Sequence, residues 1–196
     1  MKIYDDVLDK QFLDYINHTI SRMNWISHAS TFDQETPLFF NSVTIGKNVQ
    51  RDEYIFLFNI IVSIIEKEPE VKGKNIFLER GYVNLYPFGI GGDWHIDSDS
   101  PNGKTILFYP SDWKEEYEGA TEFQESGEIV EYKKNRLLIF DGTKPHRSAI
   151  HQNPKNRYTV AFKTNIDEEQ NGQRTLTSTN GDKYEGEWKD GLPNGK

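Results

Sequence analysis

The sequence predicts a mainly β protein, a jelly roll with two α-helices on its outside. Residues 75–164 contain about eight short apolar or alternating runs separated by Gly, Pro, Asn and Asp. Such closely spaced runs are typical of a sandwich or barrel rather than of βαβ units. The residues before them include two stretches in which apolar side chains recur with the spacing of a helix.

The two predicted helices lie in the N-terminal third of the chain. In residues 5–23 apolar side chains recur every three to four positions, which is the stripe of an amphipathic helix. Residues 52–67 are densely apolar, and Asp52 is a suitable N-cap residue for this second helix. Between them, residues 25–47 have no helical period and are expected to form loops and one or two short strands. His28 lies in this irregular part and is not expected to reach a functional site.

The predicted strands are short and follow one another closely. Successive side chains of a strand point to opposite faces, so one face of each predicted strand is expected to pack in the core. The predicted strands span residues 76–78, 82–86, 94–97, 105–109, 120–123, 129–132, 136–140 and 158–164.

The C-terminal tail differs in composition from the rest of the chain. Residues 166–179 are largely polar and are predicted to be a linker. In residues 180–196, the alternating run Tyr-Glu-Gly-Glu-Trp precedes an Asp-Gly pair, which predicts a strand and a tight turn. This tail resembles one unit of the MORN repeat, and a single repeat cannot bury its apolar face alone. We therefore expect a domain over residues 1–165, a linker, and a MORN-like tail available to a protein partner.

Composition excludes several classes of function. The formal net charge is −8 and the isoelectric point about 5.2, which argues against a nucleic-acid partner. The chain has no Cys, so disulfides, thiolate zinc sites and Cys nucleophiles are excluded. No apolar run reaches the roughly 18 residues that cross a bilayer, and the N-terminus lacks the apolar segment of a signal peptide. We expect a cytoplasmic protein without a membrane partner.

His95 and Asp97, which follow a pair of glycines, are the centre of the predicted site. On an extended strand two side chains at this spacing project from the same face, so both can bind one metal ion. About fifty residues later, His146 lies in a Gly- and Pro-containing loop that can supply a second imidazole. Two His and one carboxylate form the facial triad that holds Fe(II) and leaves adjacent positions open.

Arg157, which opens an apolar strand eleven residues after His146, completes the predicted site. Its guanidinium is always charged and binds a carboxylate through two parallel hydrogen bonds. A zinc hydrolase could use the same three ligands. However, a hydrolase has no need for a buried carboxylate anchor, so Arg157 favours iron.

Seven short motifs occur in a fixed order between residues 82 and 164. They are Leu85-Tyr86-Pro87, His95-Ile96-Asp97, Phe108-Tyr109-Pro110-Ser111-Asp112-Trp113, Gly119-Ala120-Thr121-Glu122-Phe123, Leu137-Leu138-Ile139-Phe140, Pro145-His146 and Arg157-Tyr158-Thr159-Val160. In order and spacing they resemble the Fe(II)- and 2-oxoglutarate-dependent dioxygenases, specifically the prolyl 4-hydroxylase-like branch. The resemblance implies a double-stranded β-helix in which His95, Asp97 and His146 bind Fe(II).

The same resemblance implies how a co-substrate is bound. Arg157 matches the basic residue that binds the C5 carboxylate of 2-oxoglutarate, and Tyr86 and Tyr109 match tyrosines that line the co-substrate pocket. The implied reaction consumes O2, is supported by ascorbate, and hydroxylates a prolyl residue of a peptide or protein. Two alternatives stay open, namely a hydroxylase of a small molecule and a non-catalytic cupin-like or MORN binding module.

Three other residues are weighed as candidates for the same roles. Arg136 and Arg147 could compete with Arg157 for the carboxylate, but Arg147 directly follows a predicted ligand and is expected to point away from the metal. His151 is expected to lie on the surface, facing away from His146.

Overall fold

Two α-helices form within the segments that predict them. The computed structural model describes residues 1–29, 37–45, 48–49, 51–69, 71–168, 172–177, 183–189 and 192–193. Helix α1 spans Lys10–Ser21 and helix α2 spans Asp52–Ile65. The carboxylate of Asp9 caps α1 by accepting a hydrogen bond from the backbone N–H of Phe12 at 2.9 Å. Asp52 is the first residue of α2 and does not cap it.

Strands are the commonest regular element of the described structure. They are β1 (Lys2–Tyr4), β2 (Ile26–Ala29), β3 (Pro37–Ile45), β4 (Asn48–Val49), β5 (Lys74–Tyr86), β6 (Gly103–Tyr109), β7 (Thr121–Phe123), β8 (Ile129–Val130), β9 (Arg136–Asp141), β10 (His146–Ser148), β11 (Arg157–Glu168), β12 (Gly172–Thr177), β13 (Lys183–Lys189) and β14 (Leu192–Pro193). A short 3-10 helix spans Glu115–Tyr117.

The strands form one large and two small antiparallel sheets. The large sheet has the order β1-β9-β6-β11-β5-β3-β2, with β4 paired to β3. A second sheet has the order β10-β7-β8, and a third joins β12, β13 and β14. The mainly β fold class is therefore confirmed.

The two faces of the large sheet bury different partners, because neighbouring side chains of a strand point to opposite faces. On one face, Ile106 and Phe162 share a core cluster with helix residues such as Ile16 and Ile61. On the other face, a second cluster joins strands β6, β9 and β11 to the small sheet β10-β7-β8. Its buried residues are Leu107, Tyr109, Phe123, Val130, Tyr132, Leu138, Phe140 and Ala161. Each such large apolar side chain stabilises the fold by roughly 1.5–3 kcal/mol. The site described below lies on this second face.

Three of the predicted strands differ from the structure. Residues 76–78 and 82–86 belong to one continuous strand, β5, because the pairing with β11 continues through the polar residues between them. Residues 94–97 are not a strand, since His95 makes only an isolated bridge to His146. The glycine-rich segment before His95 bends the chain, so the ligands do not depend on strand alternation.

The C-terminal tail contains strands, as its alternation predicts. β13 pairs with β12 and β14, and Trp188 lies opposite Pro193. The predicted linker at residues 166–179 includes the end of β11 and all of β12. The MORN-like character of the tail and the domain boundaries stay predictions. The side chain of His28 lies outside the described residues. Neither α1 nor α2 is long and apolar enough to span a membrane.

Candidate metal centre and its pocket

The three predicted metal ligands converge in space. The ligand atoms of His95, Asp97 and His146 all lie within 4.8 Å of one another. Nε2 of His95 is 3.6 Å from Oδ1 of Asp97, and Nε2 of His146 is 3.3 Å from Oδ2 of the same carboxylate. Two imidazoles and one carboxylate are the donor set of a facial triad.

Backbone hydrogen bonds hold the triad together although its residues are far apart in sequence. The N–H of His95 donates to the carbonyl of His146 at 3.0 Å, and the N–H of His146 donates back at 2.9 Å. The N–H of Asp97 donates to the carbonyl of Gly142 at 2.8 Å. The loop after β5 is therefore fastened to the turn between β9 and β10, which brings the three ligands to one point.

Glycines allow the close approach of this loop to β10. The N–H of Gly92 donates to the carbonyl of Ser148 at 2.8 Å. A Cβ at Gly91 would lie 2.8 Å from the same carbonyl oxygen, closer than a side chain tolerates. Any larger residue at Gly91 would push the loop, and His95 with it, away from His146.

The hydrogen bonds of the two imidazoles orient the nitrogens that face Asp97. Nδ1 of His95 lies 2.8 Å from the carbonyl of Asp93, and Nδ1 of His146 lies 2.9 Å from the carbonyl of Lys144. A carbonyl accepts only, so each Nδ1 carries the proton and each Nε2 presents a lone pair. Burial and the neighbouring His146 lower the pKa of His95, which favours the neutral, metal-binding form.

Asp97 is buried, with 8% of its surface exposed, and is kept ionised by its neighbours. The hydroxyl of Thr105 donates to its Oδ2 at 2.6 Å, and the ammonium of Lys163 contacts the same oxygen. Burial alone would raise the pKa of Asp97, but the charge of Lys163 outweighs burial and holds this pKa well below its usual range.

Arg157 lines the same pocket as His95 and His146 and is 1% exposed. Its Nε donates to the carbonyl of Gly119 at 2.9 Å, whereas its Nη2 has no hydrogen-bond partner. Among the described residues no carboxylate forms an ion pair with this guanidinium. A buried cation without a counter-ion is costly, which is the property expected of a site for an anionic ligand.

Three tyrosine rings surround the guanidinium of Arg157. Its central carbon lies 5.5 Å from the ring centre of Tyr86, 5.7 Å from that of Tyr109 and 5.1 Å from that of Tyr132. The hydroxyl of Tyr109 also shares a 2.7 Å hydrogen bond with Thr121. Burial raises the pKa of Tyr86 to about 12, so this phenol stays protonated and can donate to an anion.

The pocket connects the triad to Arg157. Its lining includes Tyr86, His95, His146, Arg157, Thr159 and Lys163. Its volume is about 30 Å³, room for about one water molecule. A five-carbon dicarboxylate therefore binds only if lining side chains move.

Several residues near the site differ from their predicted roles or were not predicted. His151 is fully buried rather than exposed, because its Nε2 bonds to the carbonyl of Tyr86 at 3.0 Å and its ring packs against Trp113. Lys163, Thr105 and Tyr132 were missed. Lys163 could have been found, since it lies six residues after Arg157 and an even spacing on one strand gives the same face.

The competing arginines are engaged elsewhere. Nε of Arg136 donates to Asp5 at 2.7 Å, outside the pocket. Nε of Arg147 donates to Glu122 at 2.7 Å, and its guanidinium lies 4.5 Å from the ring centre of Trp94. Arg147 therefore pairs with a residue outside the triad, although it also lines the pocket.

Comparison with solved structures relates this fold to a class of enzymes. No family model and no curated protein matches the chain. A Pseudomonas putida prolyl-4-hydroxylase superposes with a TM-score of 0.64 at 15% identity, over 84% of this chain and 91% of that one. A Trichoplax adhaerens prolyl hydroxylase, solved with a hypoxia inducible factor peptide, has a TM-score of 0.61 at 19% identity, over 84% and 82%.

A third structure carries a different kind of ligand. HygX from Streptomyces hygroscopicus, solved with nickel, 2-oxoglutarate and hygromycin B, has a TM-score of 0.61 at 8% identity, over 83% of this chain and 81% of that one. At such identities the similarity concerns the fold alone. The protein thus has the fold of 2-oxoglutarate-Fe(II) oxygenases, with a His-Asp-His cluster in its pocket.

Proposed function

We propose that the protein is an Fe(II)- and 2-oxoglutarate-dependent oxygenase that hydroxylates a C–H bond. The observation that carries the proposal is the buried Arg157, whose Nη2 has no partner and which lines the same pocket as His95 and His146. A metal site alone would also suit a hydrolase. A metal site beside an unpaired buried guanidinium calls for a ligand that carries its own carboxylate.

The residues present fit Fe(II). His95 and His146 would supply their Nε2 atoms, which carry lone pairs because each Nδ1 donates to a carbonyl. Asp97 would supply a carboxylate oxygen. Three protein ligands of this type suit Fe(II) and leave adjacent positions for a co-substrate and O2.

The residues present also fit 2-oxoglutarate. Arg157 would bind the C5 carboxylate with a charge-assisted hydrogen bond from Nη2. The phenols of Tyr86 and Tyr109 would line the space beside this carboxylate. When bound, Fe(II) and 2-oxoglutarate supply the chemistry, in which oxidative decarboxylation to succinate and carbon dioxide generates the oxidant for the substrate C–H bond.

The protein contributes orientation and the exclusion of water. The side chain of His95 is 34% exposed and that of His146 only 4%, so substrate would approach from the side of His95. Exposed apolar side chains occur in the segments that carry the site, namely Phe88, Ile96 and Ile150. Such exposed apolar groups support contact with a substrate that has apolar surface of its own.

The preferred substrate is a prolyl residue of a peptide or protein. Its support is the motif resemblance and the likeness to two prolyl hydroxylases, one of them solved with a peptide. The second candidate is a small molecule, supported by the likeness to HygX with hygromycin B. A protein partner for the MORN-like tail belongs to the same proposal.

The test is succinate formation from 2-oxoglutarate with Fe(II), O2 and ascorbate. Turnover should require His95 and Arg157, so His95→Ala and Arg157→Ala should each abolish it. Arg136→Ala is the matched control, because its guanidinium pairs with Asp5 outside the pocket. Pro-containing peptides, the same peptides with Ala in place of Pro, and small molecules would be compared for stimulation and for a mass gain of one oxygen atom.

The outcomes separate the alternatives. Stimulation by a Pro peptide but not by its Ala counterpart supports the prolyl substrate, and stimulation only by a small molecule supports the second candidate. A protein that binds neither Fe(II) nor 2-oxoglutarate would contradict the oxygenase and favour a binding module. Metal binding without 2-oxoglutarate binding would favour a hydrolase.

A further inference from the structure

Lys163 is a buried cation at the metal end of the pocket that the proposed reaction does not use. Its side chain is 4% exposed and its ammonium contacts Oδ2 of Asp97. The same nitrogen lies 5.5 Å from the ring centre of Tyr82. Among the described residues, Asp97 is the acidic side chain that contacts this ammonium.

A second cation lies beside it. Arg80 is the register partner of Lys163 on β5, and its Nη2 donates to the backbone carbonyl of Asp97 at 2.9 Å. The predicted metal ligands thus supply one negative charge, from Asp97, while two positive side chains contact that residue. A divalent ion at the triad would share the carboxylate with Lys163 and would be repelled by both cations.

The hydrogen bonds of Asp97 are divided between its two oxygens. Thr105 and Lys163 both contact Oδ2, whereas Oδ1 faces Nε2 of His95. Lys163 therefore positions the carboxylate but also offsets part of its charge. In a buried site such an offset is weakly screened by water, so it should weaken the attraction for a metal ion.

We propose that Lys163 makes metal binding weak in the absence of 2-oxoglutarate and strong in its presence. The co-substrate brings a second carboxylate to the metal end, which compensates the positive charge of Lys163 and Arg80. Metal and co-substrate are then bound as a pair, since each raises the affinity for the other by the same factor. The inference rests on the proposed function, because it assumes the triad and the co-substrate.

The test is the dissociation constant of Mn(II), measured by calorimetry with and without saturating 2-oxoglutarate. Lys163→Gln keeps a neutral donor for Oδ2 and removes the charge. It should bind Mn(II) alone about tenfold more tightly than the wild type, and 2-oxoglutarate should then strengthen Mn(II) binding by a correspondingly smaller factor. Lys104→Gln is the matched control, because Lys104 precedes Thr105 on β6 and pairs with Asp141.

Two further variants separate charge from structure. Thr105→Val removes a neutral donor to the same oxygen and should not tighten Mn(II) binding. Arg80→Gln, at an exposed position, should shift Mn(II) affinity in the same direction as Lys163→Gln but less. It keeps the inference testable if Lys163→Gln fails to fold, which a thermal melt would reveal.

Each outcome has a distinct meaning. Unchanged or weaker Mn(II) binding in folded Lys163→Gln would overturn the role of Lys163. If only Arg80→Gln folds, an unchanged Mn(II) dissociation constant in that variant would do the same. A wild type that binds Mn(II) but is indifferent to 2-oxoglutarate would contradict both the co-substrate and the inference. No Mn(II) binding at all would contradict the metal centre itself.

Discussion

The two ends of the pocket hold buried charges in opposite ways. At the metal end, the carboxylate of Asp97 is matched by Lys163 and by the hydroxyl of Thr105. At the other end, Arg157 has one carbonyl partner, three aromatic neighbours and an Nη2 without a partner. Removing one partner of a matched buried pair is costly, whereas an unmatched buried charge is already present at a cost and can bind a ligand. The difference supports the proposed anion site at the Arg157 end.

The largest effect is expected from removing the carboxylate charge of Asp97 at the metal end. Asp97→Asn should weaken Mn(II) binding about a hundredfold or more, because a metal ligand is lost. It should also lower the free energy of unfolding by about 3–5 kcal/mol, since Lys163 stays buried without its partner. Calorimetry and urea unfolding measure the two effects. Asp99→Asn, the same change two residues away, should alter neither, and a stable Asp97→Asn would mean that Lys163 is solvated.

Removing the charge at the Arg157 end should change the free energy of unfolding in the opposite direction. Arg157→Met should weaken 2-oxoglutarate binding about a hundredfold, because a charge-assisted hydrogen bond to its carboxylate is lost. The unfolding free energy of the ligand-free protein should stay the same or rise by about 1 kcal/mol, since an unpaired buried charge is replaced by an apolar chain. Titration and urea unfolding test both.

Arg136→Met is the control for this variant. Its guanidinium belongs to a partly exposed ion pair with Asp5 outside the pocket, so stability should fall by about 1 kcal/mol and co-substrate affinity should not change. If Arg157→Met instead lost several kcal/mol of stability, its guanidinium would have to be paired in the folded protein.

A smaller effect concerns pH and the buried His151 near Arg157. Burial, followed by the charge of Arg157, lowers the pKa of His151. The unfolded chain therefore takes up this proton first as the pH falls below about 6.5. The stability present above that pH should be lost as the pH falls through the lower, folded pKa.

Urea unfolding at pH 7.5 and 5.5 measures this loss. His151→Gln should reduce the difference between the two pH values, because it removes the titrating group. Arg157→Met should reduce it to a lesser degree, since it removes only the second cause of the shift. An undiminished difference in His151→Gln would assign the pH dependence to other groups.

The smallest effect is expected for the tyrosine behind Arg157. The hydroxyl of Tyr132 donates to the carbonyl of Tyr158 at 2.8 Å, while its ring stacks on Tyr109 with centres 4.5 Å apart. Tyr132→Phe keeps the ring and should cost about 1 kcal/mol of stability. The affinity for 2-oxoglutarate should be nearly unchanged. A large loss of affinity would place this hydroxyl in contact with the co-substrate.

The clustering of His95, Asp97 and His146 could be predicted because few side chains bind metal ions. In a chain without Cys, a His and an Asp two residues apart and a later His leave few other metal-binding sets. Arg157 was predictable for a similar reason. Its strand is apolar, and a charged side chain in a buried strand is costly unless it binds a partner. The strand predicted around His95 was wrong, and with it the argument from strand alternation; an isolated bridge between His95 and His146 brings their side chains together instead.

The partners of these residues could not be predicted. Lys163 lies 66 residues from Asp97 in sequence. No feature of either segment predicts that these two side chains are in contact. His151 looked like a surface residue because its burial depends on the Trp113 ring and the Tyr86 carbonyl, which come from other segments. Contacts of this kind arise from sheet register.

The sequence by itself determined the mainly β fold class, the donor set and the cation that can bind a carboxylate, because these follow from residue type and local spacing. Only the tertiary structure decided which charges are matched. The pairing of β11 with β5 and β6 puts Lys163 beside Asp97 and leaves Arg157 with a carbonyl and three rings. Electrostatic energy depends on distances between groups remote in sequence, and those distances exist only once the sheets are formed.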